Sequence, residues 1–250
     1  MNVKSDRVGL GRFIATARSA GQMAIMIVTT IIWATCGLFT APLPYRMRYR
    51  LITSWTHFNL WCLKYVCGLD YEVHGRENIP TGPAVVMSKH QSAWETMALQ
   101  KFFSPQVWVL KRELLYLPFF GWSLALLRPI AINRSAGTEA IRQLVEQGTE
   151  RLQSGAWVVV FPEGTRIAPG QRGKYRAGGA LLAEKAGYPV IPVAHNAGEF
   201  WGRKQWIKWP GTIQVRIGRP IDPKGSSAAK IRDQVEEWIE NQMLEISGKR

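Results

Sequence analysis

Ala84-Val85-Val86-Met87-Ser88, running straight into Lys89-His90-Gln91-Ser92-Ala93-Trp94-Glu95, is an apolar segment of strand length that passes through a short polar turn into a helical pattern over 93–103. The same alternation extends outward in both directions from Tyr71 onward. Strands are expected at 71–74, 84–88, 106–110, 129–133, 156–161, 190–194 and 212–217, and helices at 93–103, 119–127, 138–153 and 178–187. Breaks fall at Pro80-Thr-Gly-Pro83, Pro105, Pro118, Pro169-Gly170 and Pro210-Gly211. The clearest helix, 138–153, sets Ile141, Leu144, Val145 and Leu152 on one face. A last helix over 227–247 carries Ile231, Val235, Trp238 or Ile239, and Met243 at helical spacing, with Glu236, Glu237 and Glu240 on other faces. Strand and helix in alternation predict an α/β fold with a largely parallel or mixed sheet flanked by helices.

Upstream the pattern is different. No charged residue lies between Arg18 and Arg46, and Met23 to Phe39 approaches the length of a bilayer span. A second apolar segment, Leu51 to Leu69, carries Lys64 as its one charge, and Pro42 and Pro44 punctuate the join. Residues 1–69 therefore read as a two-helix membrane-associated module and 70–250 as the α/β domain. Basic residues flank both sides of the first segment: Arg12 and Arg18 before it, Arg46, Arg48 and Arg50 after it. Such flanks prefer the cytoplasmic side, which favours a hairpin dipping into one leaflet over a simple crossing. Trp33-Ala34-Thr35-Cys36 is a poor match to an export-signal cleavage site.

With 46% hydrophobic and 20% charged residues among 250, the chain can bury a core and is neither disordered nor fibrous. Thirty-two Lys and Arg against 18 Asp and Glu give a net charge of +14, which suits anionic partners: a phospholipid surface, nucleic acid or an acidic carrier protein. Cys36, Cys62 and Cys67 form neither a disulfide framework nor a zinc motif, so no metal is expected. Phe200 to Trp209 interleaves Trp201, Trp206 and Trp209 with Arg203, Lys204 and Lys208. It reads as a headgroup-level anchor, together with Trp33 and Trp55, or as a platform for single-stranded nucleic acid.

Several motifs fail. Gly9-Leu-Gly11 lacks the rest of a dinucleotide fingerprint, Gly173-Lys174-Tyr175 lacks the rest of a phosphate loop, and no HExxH or GxSxG is present. His90 and Glu95 stand at a strand end, where open α/β sheets place ligands. If Ser92 caps the following helix, Glu95 falls in the first turn and can hold one imidazole nitrogen, which makes a general base with its orienter. A surface histidine beside a capping-turn glutamate fits the same spacing. Trp157-Val-Val-Val-Phe161 ends in Pro162-Glu-Gly-Thr-Arg166, a turn offering either an anion-binding guanidinium or a Glu163–Arg166 ion pair. Arg134, at the end of the strand 129–133, is a second anion-binding candidate.

The ordered set of His90-x4-Glu95, Lys111-x-Glu113-Leu114 to Asn133-Arg134, Phe161-Pro-Glu-Gly-Thr-Arg166 and Val190-Ile-Pro-Val-Ala194 resembles the four blocks of the 1-acylglycerol-3-phosphate acyltransferase family, bacterial type, over residues 70–220. The resemblance implies a glycerolipid acyltransferase-like fold and transfer of an acyl group to the sn-2 hydroxyl of lysophosphatidic acid, giving phosphatidic acid. It implies His90 as the base and Glu95 as its orienter. Arg134 and Arg166 would bind the acceptor's phosphate, with Glu163, Gly164 and Thr165 forming the turn that presents Arg166 and Arg176 adding a further anionic contact. Lys111 is a weaker candidate. No cofactor is implied. Acyl-CoA or acyl-carrier protein would be the co-substrate and the cytoplasmic face of the inner membrane the location. Glu95 stands where Asp is commoner, Asn133 where Asp often stands, and Arg128 where a glycine is usual, which keeps a lyso-ornithine lipid open as the acceptor. A non-catalytic basic protein that binds lipid or nucleic acid is the alternative from another class.

Overall fold

The computed structural model describes residues 3–133 and 136–248, the side chains of 3–9 excepted. Helix α1 (Val3–Leu38) and helix α2 (Tyr45–Cys67) lead into strands β1 (Leu69–His74) and β2 (Val85–Ser88). Then come α3 (Trp94–Ala98), β3 (Gln106–Lys111), α4 (Phe120–Ala125), β4 (Ile130–Ile132) and α5 (Thr138–Gln153). The chain closes with β5 (Trp157–Val160), α6 (Gly178–Ala186), β6 (Val190–His195), α7 (Ala197–Phe200), β7 (Gly211–Ile217) and α8 (Ala228–Ile246).

All seven expected strands form one sheet in the order β1-β7-β6-β2-β5-β3-β4. Neighbours run parallel throughout, except β6 and β7, which are antiparallel. The central strands are covered on both faces, and alternate residues divide between two cores. Val86, Val159 and Ile191 pack toward α2 and α3 in one, while Val85, Met87, Val158 and Val190 pack toward α5, α6 and α8 in the other. Helix α5 buries Ala140, Leu144, Gly148 and Leu152, a four-residue stripe, while Ile141 is 42% exposed. Gly148 allows close approach to α6, because a Cβ there would meet Leu182 at 2.6 Å. The helix expected over 93–103 is shorter. It ends at Ala98 and tightens into a 3-10 turn over Leu99–Lys101.

The N-terminal segments fold as helices α1 and α2, separated at Pro42 and Pro44, and they differ in character. Among the described residues, α1 is the one helix long and apolar enough to cross a membrane, over Leu10–Leu38. It buries a thin stripe and leaves Phe13, Val28, Ile31 and Ile32 open. The other helix, α2, contributes Leu60, Leu63 and Cys67 to the core that it shares with the sheet. One hydrophobic cluster thus runs across the change in sequence pattern at residue 69. The two helices are joined by polar contacts in an apolar setting: Trp33 Nε1 donates to Ser54 at 2.8 Å, and Thr29 Oγ1 accepts from Trp55 Nε1 at 3.2 Å.

Candidate active site

Strand register brings the charged turns together. Met87 pairs with Val160 and Ser88 with Val193, so the residues that follow β2, β5 and β6 leave the sheet side by side at its carboxyl edge. His90, Glu163 and His195 meet there from three separate stretches of chain.

Glu95 organises the first turn. Its Oε1 lies 2.8 Å from His90 Nδ1 and accepts the Gln91 and Ser92 backbone N–H groups at 2.9 and 2.8 Å, and its Oε2 accepts Ser92 N–H again at 3.0 Å. The helix begins at Trp94, so Ser92 lies just outside it, its hydroxyl accepting the Trp94 N–H at 3.1 Å. The Glu95 side chain is fully buried while His90 is 14% exposed, an arrangement unlike a surface histidine beside a capping turn. Burial alone would push the Glu95 carboxyl up. The two imidazoles and the Ser92 N–H outweigh it and hold the carboxyl below the ordinary glutamate range. An ionised carboxylate accepts only, so the proton between it and neutral His90 sits on Nδ1, and Nε2 carries the lone pair. The ring is stacked on Phe161, centroids 4.0 Å apart.

A folded-state pKa below the unfolded one means Glu95 stabilises the fold at neutral pH and loses that contribution as pH falls through the folded value. Glu95→Gln is therefore expected to flatten the acid limb of stability. Thermal midpoints of both proteins between about pH 7 and pH 4 check this, and parallel curves would contradict it.

His195 is the second imidazole near Glu95, its Nε2 being 4.0 Å from Oε2. That Nε2 is 2.8 Å from the Lys89 carbonyl, and Nδ1 accepts the Ala197 N–H at 3.3 Å. A carbonyl can only accept and a backbone N–H can only donate, so His195 is neutral with its proton on Nε2. Burial, opposed by the Glu95 carboxylate, likewise lowers its pKa.

The turn after β5 is tied to the first. Glu163 Oε2 accepts the His90 N–H at 2.9 Å, Oε1 accepts from Lys89 Nζ at 2.7 Å, and the Ile167 N–H donates to the His90 carbonyl at 2.8 Å. Both Glu163 oxygens are thus engaged with the protein itself. The carboxylate holds the turn, forms no ion pair with Arg166 and is no anion ligand. Gly164 has φ +67°, a left-handed conformation natural to glycine, and a Cβ there would meet Arg176 Nε at 3.2 Å.

Beside His90 opens a cavity of about 480 Å³. Its walls include Thr30, Trp33 and Ala34 of α1, Ile52 and Trp55 of α2, Trp108 and Leu110 of β3, and Phe120 and Leu124 of α4, with His90, Phe161, Lys111 and Arg166 among the rest of its lining. Of the expected anion-binding residues, Arg166 faces this space. Arg176 packs beside Gly164 outside the lining, Thr165 is exposed, and Arg134 lies outside the described residues. Lys111, the weaker candidate, does line the cavity. Among the described residues, no cluster of three or more His, Cys, Asp or Glu side chains is arranged for a metal ion.

The tryptophans depart from their expected place. Trp201 is 7% exposed and packs in the core, its ring 4.6 Å from the ammonium of fully buried Lys208. Trp33 and Trp55 line the cavity with their indole N–H groups satisfied inside the protein, and Trp209 is half-buried. Trp206 is the exposed member of the set. The run 200–209 therefore exposes Arg203, Lys204 and Trp206 but turns Trp201 and Lys208 inward, so it is not an unbroken aromatic and basic face. Helix periodicity is absent in this loop, so the sequence carried no signal of which face turns inward. It carried none, either, that Lys89, Glu240 and Tyr175 join beneath the site.

The acyltransferase family model matches residues 70–196. The chain is 51% identical over 228 residues to the 1-acyl-sn-glycerol-3-phosphate acyltransferase of Pseudomonas aeruginosa, with 89% of each chain covered. It is 33% identical over 185 residues to that of Saccharomyces cerevisiae, covering 69% of this chain and 61% of the yeast protein. The crystal structure of the 1-acyl-sn-glycerophosphate (LPA) acyltransferase of Thermotoga maritima has the same fold. Its TM-score is 0.80 at 24% identity, with 96% of this chain and 99% of that one covered. These likenesses make the chain a member of the 1-acyl-sn-glycerol-3-phosphate acyltransferase family, of bacterial type.

Proposed function

We propose that this enzyme transfers an acyl group from a thioester to the sn-2 hydroxyl of lysophosphatidic acid, giving phosphatidic acid. The observation that carries the reading is His90, oriented by buried Glu95 and placed at an apolar cavity that also holds Arg166. Nε2 takes the hydroxyl proton as the alkoxide oxygen attacks the thioester carbonyl carbon. The C–S bond then breaks, and the imidazolium returns the proton to the leaving thiolate. Glu95 stabilises the imidazolium between the two steps, and no acyl-enzyme is needed. Arg166, with Lys111, binds the acceptor's phosphate and fixes its hydroxyl near Nε2. Arg134 and Arg176 are assigned to the same anion, Arg176 by bracing the turn at Gly164. The apolar walls suit a fatty acyl chain.

The membrane reading rests on α1 and on the segment after β3. Tyr116, Leu117, Phe119 and Trp122 are each about half exposed or more, and Leu114 and Phe120 reach both solvent and cavity. Helix α4 packs against α1, whose own exposed apolar residues add to these, and Arg46, Arg50 and Arg112 are exposed. We assign these exposed residues to the cytoplasmic leaflet of the inner membrane, and acyl-CoA and acyl-carrier protein are the donors to test.

The test is thiol release in detergent micelles containing lysophosphatidic acid and either long-chain donor, with product mass analysis. Phosphatidic acid is the expected product, and its absence with both donors would remove the reading. In the same assay, Arg166→Ala is expected to raise KM for lysophosphatidic acid roughly tenfold or more, the scale of one charge-assisted hydrogen bond. An unchanged KM would take Arg166 out of phosphate binding.

A further inference from the structure

The ammonium beneath His90 is joined to the far end of the chain. Lys89 Nζ donates to Glu163 Oε1 at 2.7 Å and to Glu240 Oε1 at 2.8 Å, and the Tyr175 hydroxyl donates to the same Glu240 oxygen at 2.8 Å. Lys89 is 1% exposed, and its third face lies over the Tyr175 ring, 5.9 Å from the centroid. Glu236, one turn earlier on α8, accepts from Arg172 Nη2 at 2.6 Å. Two carboxylates four residues apart on one helix face thereby clasp the loop that follows β5. The packing stripe of α8 is supplied separately by Ile231, Val235, Ile239, Met243 and Ile246. Glu240 does not line the cavity, so its carboxylate serves the buried lysine.

We propose that Glu240 is a positioning residue for acyl transfer, holding the His90 main chain through Lys89 and Glu163. This rests on His90 being the base. Lysine has three N–H donors, and at Lys89, whose side chain is 1% exposed, two are taken by carboxylates. Without Glu240, the ammonium has one carboxylate left and draws Glu163 toward itself. Glu163 Oε2 is the acceptor of the His90 N–H, so the turn loosens and the Nδ1 contact to Glu95 loses its geometry. The cavity and Arg166 stay in place, and the loss falls on kcat.

The experiment compares Glu240→Leu, Glu240→Ser and Glu240→Gln in micelles, with ¹⁵N-labelled histidine and steady-state kinetics on lysophosphatidic acid. The Nδ1 proton of His90 is assigned by its absence in His90→Ala, and the circular dichroism spectrum reports the fold, since His195 is itself bonded to the Lys89 carbonyl. Leu and Ser are expected to lower kcat about tenfold with KM within about twofold, and to displace or broaden the His90 resonance while the circular dichroism spectrum stays that of the wild type. Gln keeps an oxygen for Lys89 and Tyr175 and is expected to restore most of the rate. Wild-type kcat in both Leu and Ser overturns the proposal. So does a rate loss accompanied by loss of the native circular dichroism spectrum, since that is general misfolding. An active His90→Ala would refute the base assignment, while the His90 resonance in Glu240→Ser still decides whether Glu240 holds the ring.

Discussion

His90→Ala is expected to lower kcat for phosphatidic acid formation by about three orders of magnitude, within the range for loss of a positioned general base. The large effect follows from the absence of a substitute. His195 is the other imidazole at this edge, but its Nε2–H is committed to the Lys89 carbonyl and its Nδ1 to the Ala197 N–H, and it is fully buried. Glu95 cannot act in its place, since its carboxyl is held below the ordinary range and is a weak base near neutral pH. Nor should the variant unfold. Glu95 keeps the Gln91 and Ser92 N–H groups, and the His90 N–H to Glu163 belongs to the main chain. Thiol release and a thermal melt run side by side check both halves. A folded variant retaining more than about a tenth of the rate would remove His90 as the base.

The sequence made the β-rich half of the fold readable for a physical reason. The strand 156–161 is a short unbroken apolar run between Gly155 and Pro162, and 190–194 is apolar throughout after Pro189, the imprint of strands buried on both faces. The antiparallel entry of β7 left no such imprint, because direction is set by the connection through α7 and the loop 201–210. Within the site, His90, Glu95 and the turn 162–166 were legible because they sit next to strand ends. Their mutual placement depends on the Met87–Val160 and Ser88–Val193 register, which is a property of the sheet. Glu240 falls in the sequence among the carboxylates on the other faces of α8. Its neighbours Glu236 and Glu237 have the same spacing signature, and contact with a residue 151 positions away has none. The tryptophans show the reverse error. An aromatic–basic alternation fits a membrane edge by composition, yet Trp201 and Lys208 are interior groups.

Lys89→Met carries the largest expected cost in stability. The side chain is nearly isosteric in length, so packing changes little and the effect isolates the charge. Glu163, with no exposed side-chain surface, would be left with a carboxylate oxygen facing no cation, and Glu240 would keep the Tyr175 hydroxyl alone. Removing one partner of a buried ion pair typically costs about 3–5 kcal/mol, because the stranded charge cannot be rehydrated. For a chain of this size that corresponds to a fall of roughly 6–10 °C in thermal midpoint. The double change Lys89→Met with Glu163→Gln distinguishes this cause from lost packing. It removes the stranded charge and leaves an amide oxygen to accept the His90 N–H, so the double variant is expected to be more stable than the single one. A single variant within about 1 kcal/mol of the wild type would mean that water reaches Glu163 and that the cluster is not dry. A double variant less stable than the single one would place the cost in packing. The predicted order, wild type above double above single, is the order required if the lysine is there chiefly to neutralise the carboxylate that grips the catalytic turn.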